Sequence, residues 1–187
     1  MVSDTELVGD LALLTWAAEG DTAPPAIQAQ QAYRQLGEAL RSSGTAILQE
    51  RVFGRIADAS DVLGARARAI AGTGDTWAVP PTFVEGEPPD GSRGLAGIHL
   101  LDVRSDSARL VRDRGQVLGR TAGVHGLQVL GLSDVGRVSP FPSGPEGATE
   151  TAAVIETTER VLAAEGFTYR QVVRTWYYLR DILDWYG

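Results

Sequence analysis

The chain has 187 residues, 43% hydrophobic and 22% charged, a globular composition long enough to bury a core without covalent staples. It has no cysteine, which excludes disulfides, thiolate metal sites and cysteine nucleophiles. With only His99 and His125, no zinc or iron site is expected, though carboxylate sites for hard cations stay open. The net charge of −7 argues against a nucleic-acid partner, and all 17 basic residues are arginine, which suits carboxylate or phosphate recognition and is equally common in arginine-rich genomes.

Residues 1–5 are polar and lack the pattern of a signal peptide, and no apolar run reaches the roughly 18 residues of a membrane span. The expectation is a cytoplasmic protein with no membrane partner. Residues 6–16 read as a strand. After a break at 20–25, Ala29, Ala32, Tyr33, Leu36, Ala39 and Leu40 recur at the spacing of one helix face, and Gly44 ends the helix. A strand follows over 46–56. Ser60 is a candidate cap for a second helix with Leu63, Ala67 and Ile70 inside, Val62 beside them, and Arg66 and Arg68 toward the flanks or outer side. Residues 72–81 form a loop whose Gly72-Thr73-Gly74-Asp75 lacks the Lys-Ser/Thr of a phosphate loop. Strands are expected at 82–85 and 95–103, and paired strands at 109–124 and 127–135. A Pro/Gly loop at 139–147 leads to a helix over 149–165 presenting Ala152, Ile155, Thr158 and Leu162, and then to a strand over 171–179.

The two halves can be laid over each other. Leu40-Arg41-Ser42-Ser43-Gly44 matches Leu162-Ala163-Ala164-Glu165-Gly166, and QERVFGRIAD (49–58) falls on VVRTWYYLRD (172–181). Arg51 then meets Arg174, Phe53 meets Trp176 and Asp58 meets Asp181. Side chains alternate along a strand, so Val52, Gly54 and Ile56 share one face, with Arg51, Phe53 and Arg55 on the other. Arg174, Trp176, Tyr178 and Arg180 likewise share a face. The apolar face packs on helices. The Arg/aromatic face looks into a cleft or a subunit interface, where it binds an anionic or planar ligand or serves as packing.

The segment ETAAVIETTERVLAAEGFTYRQVVRTWYYLRD resembles the most recognisable stretch of the YjgF/Rid superfamily, which includes the imine deaminases and the chorismatases. AQQAYRQLGEALRSSGTAILQERVFGRIAD is a weaker version of it. The resemblance implies an α/β (α+β) fold of two tandem Rid/chorismate-mutase-like units, 1–104 and 105–187, with the sheet inside and helices packed outside. It also implies that the second unit stops early, truncated or completed by another chain, and that the protein is a homo-oligomer, a trimer or dimer. The deaminase arginine after the second helix is replaced by Pro80-Pro81-Thr82, and His99, in LAGIHLLDV, falls near the position of the family's glutamate. Tyr178 and Arg180 align with a Tyr-x-Arg pair that chorismatases use around their ligand.

The function expected on this basis is cofactor-independent acid–base chemistry, namely hydrolysis, elimination or deprotonation-driven cyclisation, on a small carboxylated or carbonyl-bearing metabolite. His99 and His125 are the candidate proton carriers, and Arg174, Trp176, Tyr178 and Arg180 the candidate substrate-binding group. Two alternatives stand beside it: an imine/enamine deaminase, or a non-catalytic metabolite-binding or assembly subunit. Each histidine also has a plain structural reading, His99 as a satisfied core or interface residue and His125 as part of a tight Gly-flanked segment.

Overall fold

The chain opens as an antiparallel hairpin, β1 (Val2–Val8) and β2 (Leu11–Ala17), where one strand over 6–16 is expected. The computed structural model describes residues 2–8, 10–18, 23–88, 91, 94–135 and 146–176. Two compact units are present, Met1–Ser133 and Asp134–Gly187.

In the first unit, helix α1 (Pro25–Ser43) begins on a proline whose fixed φ suits a first turn, and ends at Gly44 in the left-handed conformation, φ 67°. Its buried face is the expected stripe, except that Ala39 is half-buried, extended by Gln28 and Gly37. Strand β3 (Ala46–Gly54) follows and stops before Ile56, which starts a 3₁₀ turn and is exposed rather than on the apolar strand face. Helix α2 (Ala59–Ala69) leads to β4 (Pro81–Glu85), parallel to β3, and then to β5 (Leu95–Val103). The five strands form one mixed sheet in the order β1-β2-β5-β3-β4. Leu14, Trp16, Val52, Ile98 and Leu100 point from it into the core shared with α1 and α2.

Helix α2 is rotated from expectation. It buries Val62, Ala65 and Arg66, while Leu63 and Ile70 are only half-buried and Ala67 is exposed. The cause is Glu50, which shares the helix-facing parity of Val52 and is fully buried. A buried carboxylate needs a cation and hydrogen bonds. Arg66 supplies both, with Nε at 2.9 and 3.0 Å from the two carboxylate oxygens and Nη2 at 2.6 Å from Oε2. The same Nη2 donates to the Trp77 and Val79 carbonyls at 3.1 Å, and the Tyr33 hydroxyl donates to Glu50 at 2.7 Å. Burial, then the Glu50 carboxylate, push the Tyr33 hydroxyl well above its ordinary pKa. For Arg66 burial is the largest single influence and lowers the pKa; Glu50 and Tyr33 together outweigh it and leave it raised.

A second antiparallel sheet, β6 (Arg109–Asp113), β7 (Gln116–Val124) and β8 (Leu127–Leu132), belongs to the same compact unit. Two-residue turns, Arg114-Gly115 and His125-Gly126, connect its strands. All four of these residues have positive φ, as the turn that matches strand twist requires. The sheet lies on the face of the large sheet away from the helices, where Ala122 and Val124 meet Leu48 and Val103. A bulge in β3 between Ile47 and Gln49 makes this possible: Ile47 joins the helix-side core and Leu48 the inter-sheet core. Gly131 crosses directly over the bulge; a β-carbon there would sit 2.6 Å from the Leu48 carbonyl oxygen. Buried Arg120 donates from Nε to the Ile47 carbonyl at 2.7 Å and from Nη2 to the Asp75 carbonyl, which ties β7 to β3 and to the 3₁₀ turn Gly74–Trp77.

The second unit contains α3 (Glu146–Ala164) and a 3₁₀ turn, Tyr169–Gln171, with Thr168 and Gln171 in a reciprocal capping box. Val161 and Leu162 are buried; of the remaining expected stripe, Ala152 and Ile155 are exposed and Thr158 half-buried. Residues 172–176 have no regular secondary structure where a strand is expected. The helix ends of the two repeats share one device. Thr45 N–H reaches the Leu40 carbonyl and Phe167 N–H the Leu162 carbonyl, each beside a left-handed glycine, Gly44 or Gly166. The protein is thus mixed α+β, and among the described residues no helix is long and apolar enough to cross a membrane.

Candidate functional site

The small sheet packs on the large sheet's outer face over Leu11, Leu48, Leu101 and Val103. On the same face the strand registers align four side chains in one row. Thr15 pairs with His99, His99 with Arg51, and Arg51 with Thr82. All four are half-buried. The next row sets Gly97 opposite Phe53, and the row behind sets Leu101 opposite Gln49.

Within this patch His99 and Arg51 are directly opposed across β5 and β3, a placement that brings β-carbons to about 5 Å. Gly97 carries no side chain, which leaves the Phe53 ring room to lie against His99, centroids 4.9 Å apart and planes at 61°. The Arg51 guanidinium leans the other way and donates to the Gln49 side-chain oxygen. Burial, with the Arg51 charge second, holds the His99 pKa below the ordinary imidazole value, so at neutral pH the ring is an uncharged base beside a fixed cation. Neutral imidazole accepts a proton and guanidinium only donates hydrogen bonds, so the pair is suited to deprotonating a substrate while holding its anionic group.

Of the other expected site residues, His125 lies outside this row. His125 sits in the β7–β8 turn, exposed, its Nε2 4.0 Å from the Asp10 carboxylate. Beside that turn a cavity of about 390 Å³ opens over Ser107, Arg109, Thr121, Gly123 and Gln128. Its polar lining is largely engaged within the protein: Thr121 Oγ1 donates to the Val129 carbonyl and accepts from Gln128, and Ser107 Oγ accepts from Gly123 N–H. The His99 patch carries the chemistry that the cavity lacks. In the second unit Arg174 stacks on Trp176, guanidinium carbon 3.8 Å from the ring centroid, and both are exposed. Tyr178 and Arg180 lie outside the described residues. Among the described residues no cluster of three or more His, Asp or Glu side chains is placed to hold a metal ion.

Arg51 and Phe53 were visible in the sequence as the face turned away from the helices. Thr15, Gln49 and Thr82 were not, because their meeting depends on the register of strands far apart in the chain. No family model matches the chain, and no curated protein matches it.

Proposed function

We propose that the protein is an acid–base enzyme whose site is the outer face of the five-stranded sheet. His99 is the proton-transfer group and Arg51 the holder of a substrate carboxylate or developing oxyanion. The substrate is a small carboxylated or carbonyl-bearing metabolite, and the reaction hydrolysis, elimination or deprotonation-driven cyclisation without a cofactor. The observation that carries this is the cross-strand opposition of the His99 imidazole, whose pKa burial lowers, to the Arg51 guanidinium on a half-buried face.

Membership of the YjgF/Rid superfamily, as two tandem units in a cytoplasmic homo-oligomer, is part of the same proposal. Helices on one face of the sheet and the site on the other agree with it, as do the matched helix ends at Gly44 and Gly166. An imine/enamine deaminase is the alternative within that family, although the family's substrate-holding arginine is replaced in this unit by Pro80-Pro81-Thr82. The exposed Arg174–Trp176 stack favours a second reading, a non-catalytic surface for an anionic or planar partner.

The test is exchange of carbon-bound hydrogen into deuterated water across a set of 2-oxo and 2-imino carboxylic acids, followed by proton NMR together with ammonia release. The native chain accelerates one of these. His99→Gln lowers that rate by about 100-fold or more, and Arg51→Met raises the substrate concentration required. Activity indifferent to both substitutions would refute the assignment.

A further inference from the structure

We infer that Phe53 is the positioning residue for His99: its ring fixes the plane of the imidazole and shields one side of it from water. This rests on the site proposed above. In the ladder between β3 and β5, Phe53 pairs with Gly97 and His99 with Arg51. Phe53 and His99 are therefore diagonal neighbours on one face, within reach of an aromatic side chain. Directly opposite Phe53 there is no side chain, and a β-carbon at Gly97 would sit 3.0 Å from the Trp16 carbonyl oxygen of β2. Gly86, whose N–H donates to the Gly54 carbonyl at 3.0 Å, borders the Phe53 β-carbon. The Phe53 ring lies against His99 with centroids 4.9 Å apart and planes at 61°, the edge-to-face arrangement that aromatic rings favour.

A ring orients an imidazole differently from a hydrogen-bond partner. A carboxylate or carbonyl would take one nitrogen and fix the tautomer, whereas an aromatic edge takes neither. Among the described residues neither nitrogen of His99 is held by a hydrogen bond, which leaves both for proton transfer. Among the same residues the charged group facing His99 is Arg51 on β3, while β2 sets the uncharged Thr15 on its other side. Burial outweighs that charge among the causes that lower the His99 pKa, and the Phe53 ring is apolar surface placed to supply it.

The experiment is NMR of the ligand-free chain, with the His99 imidazole assigned by comparison with His125→Gln. In the native chain the ring protons of Phe53 and His99 show a nuclear Overhauser contact, and the His99 couplings report a single χ1 rotamer. Phe53→Leu keeps apolar bulk and removes the ring. The couplings then average over rotamers, and the titration midpoint of His99 rises by about half a unit as water reaches the imidazole. Phe53→Tyr keeps the ring and leaves both readings native-like. A midpoint unmoved or lowered in Phe53→Leu, couplings there that still report one rotamer, or an equal shift in Phe53→Tyr overturns the inference. If Phe53→Leu does not fold, the native chain decides: no contact between the two rings, or averaged His99 couplings, overturns it. No substrate enters these measurements, so their failure is distinct from the failure of His99 to support turnover.

Discussion

Replacing Arg66 by methionine tests whether the rotation of α2 is set by a buried charge. The Glu50 side chain is 0% exposed, and three contacts of 3.0 Å or less join it to Arg66. Methionine fills similar volume but strands the carboxylate, which among the described residues keeps the Tyr33 hydroxyl alone, and it removes the donor to the Trp77 and Val79 carbonyls. Breaking a buried pair from one side costs about 3–5 kcal/mol. For a chain of this length each kcal/mol lowers Tm by about 2–4 °C, so the expected fall is about 6–20 °C. Thermal and urea unfolding followed by circular dichroism read it. A triple variant, Tyr33→Phe/Glu50→Leu/Arg66→Met, removes the carboxylate and its remaining donor together and should recover at least half of the loss, because a well-packed apolar replacement of a buried pair is often neutral. If Arg66→Met stays within about 1 kcal/mol of native, below the usual cost of stranding a buried charge, or if the triple variant is no better than the single, the charge does not set the helix.

Gly131→Val should cost about 1–3 kcal/mol by forcing β8 off the Leu48 carbonyl, with amide exchange rising in β7 and β8 before α1; unchanged protection there would contradict the close crossing. The lowered His99 pKa fixes the sign of a pH effect. Below the ordinary imidazole value of about 6.5 the unfolded chain binds a proton that the folded chain still refuses, so stability contributed at this site falls as pH drops through that value toward the lowered native one. His99→Gln should therefore flatten the decline in urea midpoint between neutral and mildly acid pH, and an unaltered slope would show that the imidazole titrates normally.

Much of the local structure was legible because its causes are local. The stripe from Ala29 to Leu40 and the glycine at 44 specify α1 and its end, and the period-two pattern around Arg51 and Phe53 separates a helix side from an outer side. His99 was singled out through its place in a resemblance, and the strand that carries it is as expected. The buried face of helix α2 departs from its hydrophobic pattern because a buried ion pair sets it. The available signal was Glu50, an acid on the helix-facing parity of β3, which demands a cation from a helix above it.

Sequence by itself determined most of the strand and helix order of the first unit, the absence of thiol chemistry and the amphipathic face of α1, since each follows from neighbouring residues or from composition. Tertiary structure alone decided that Thr15, His99, Arg51 and Thr82 form one row, that Gln49 takes the guanidinium, and that Arg66 goes inside. Register between strands dozens of residues apart, and the pairing of a buried charge, are settled by the packing of the whole sheet and leave no periodic mark in any one segment.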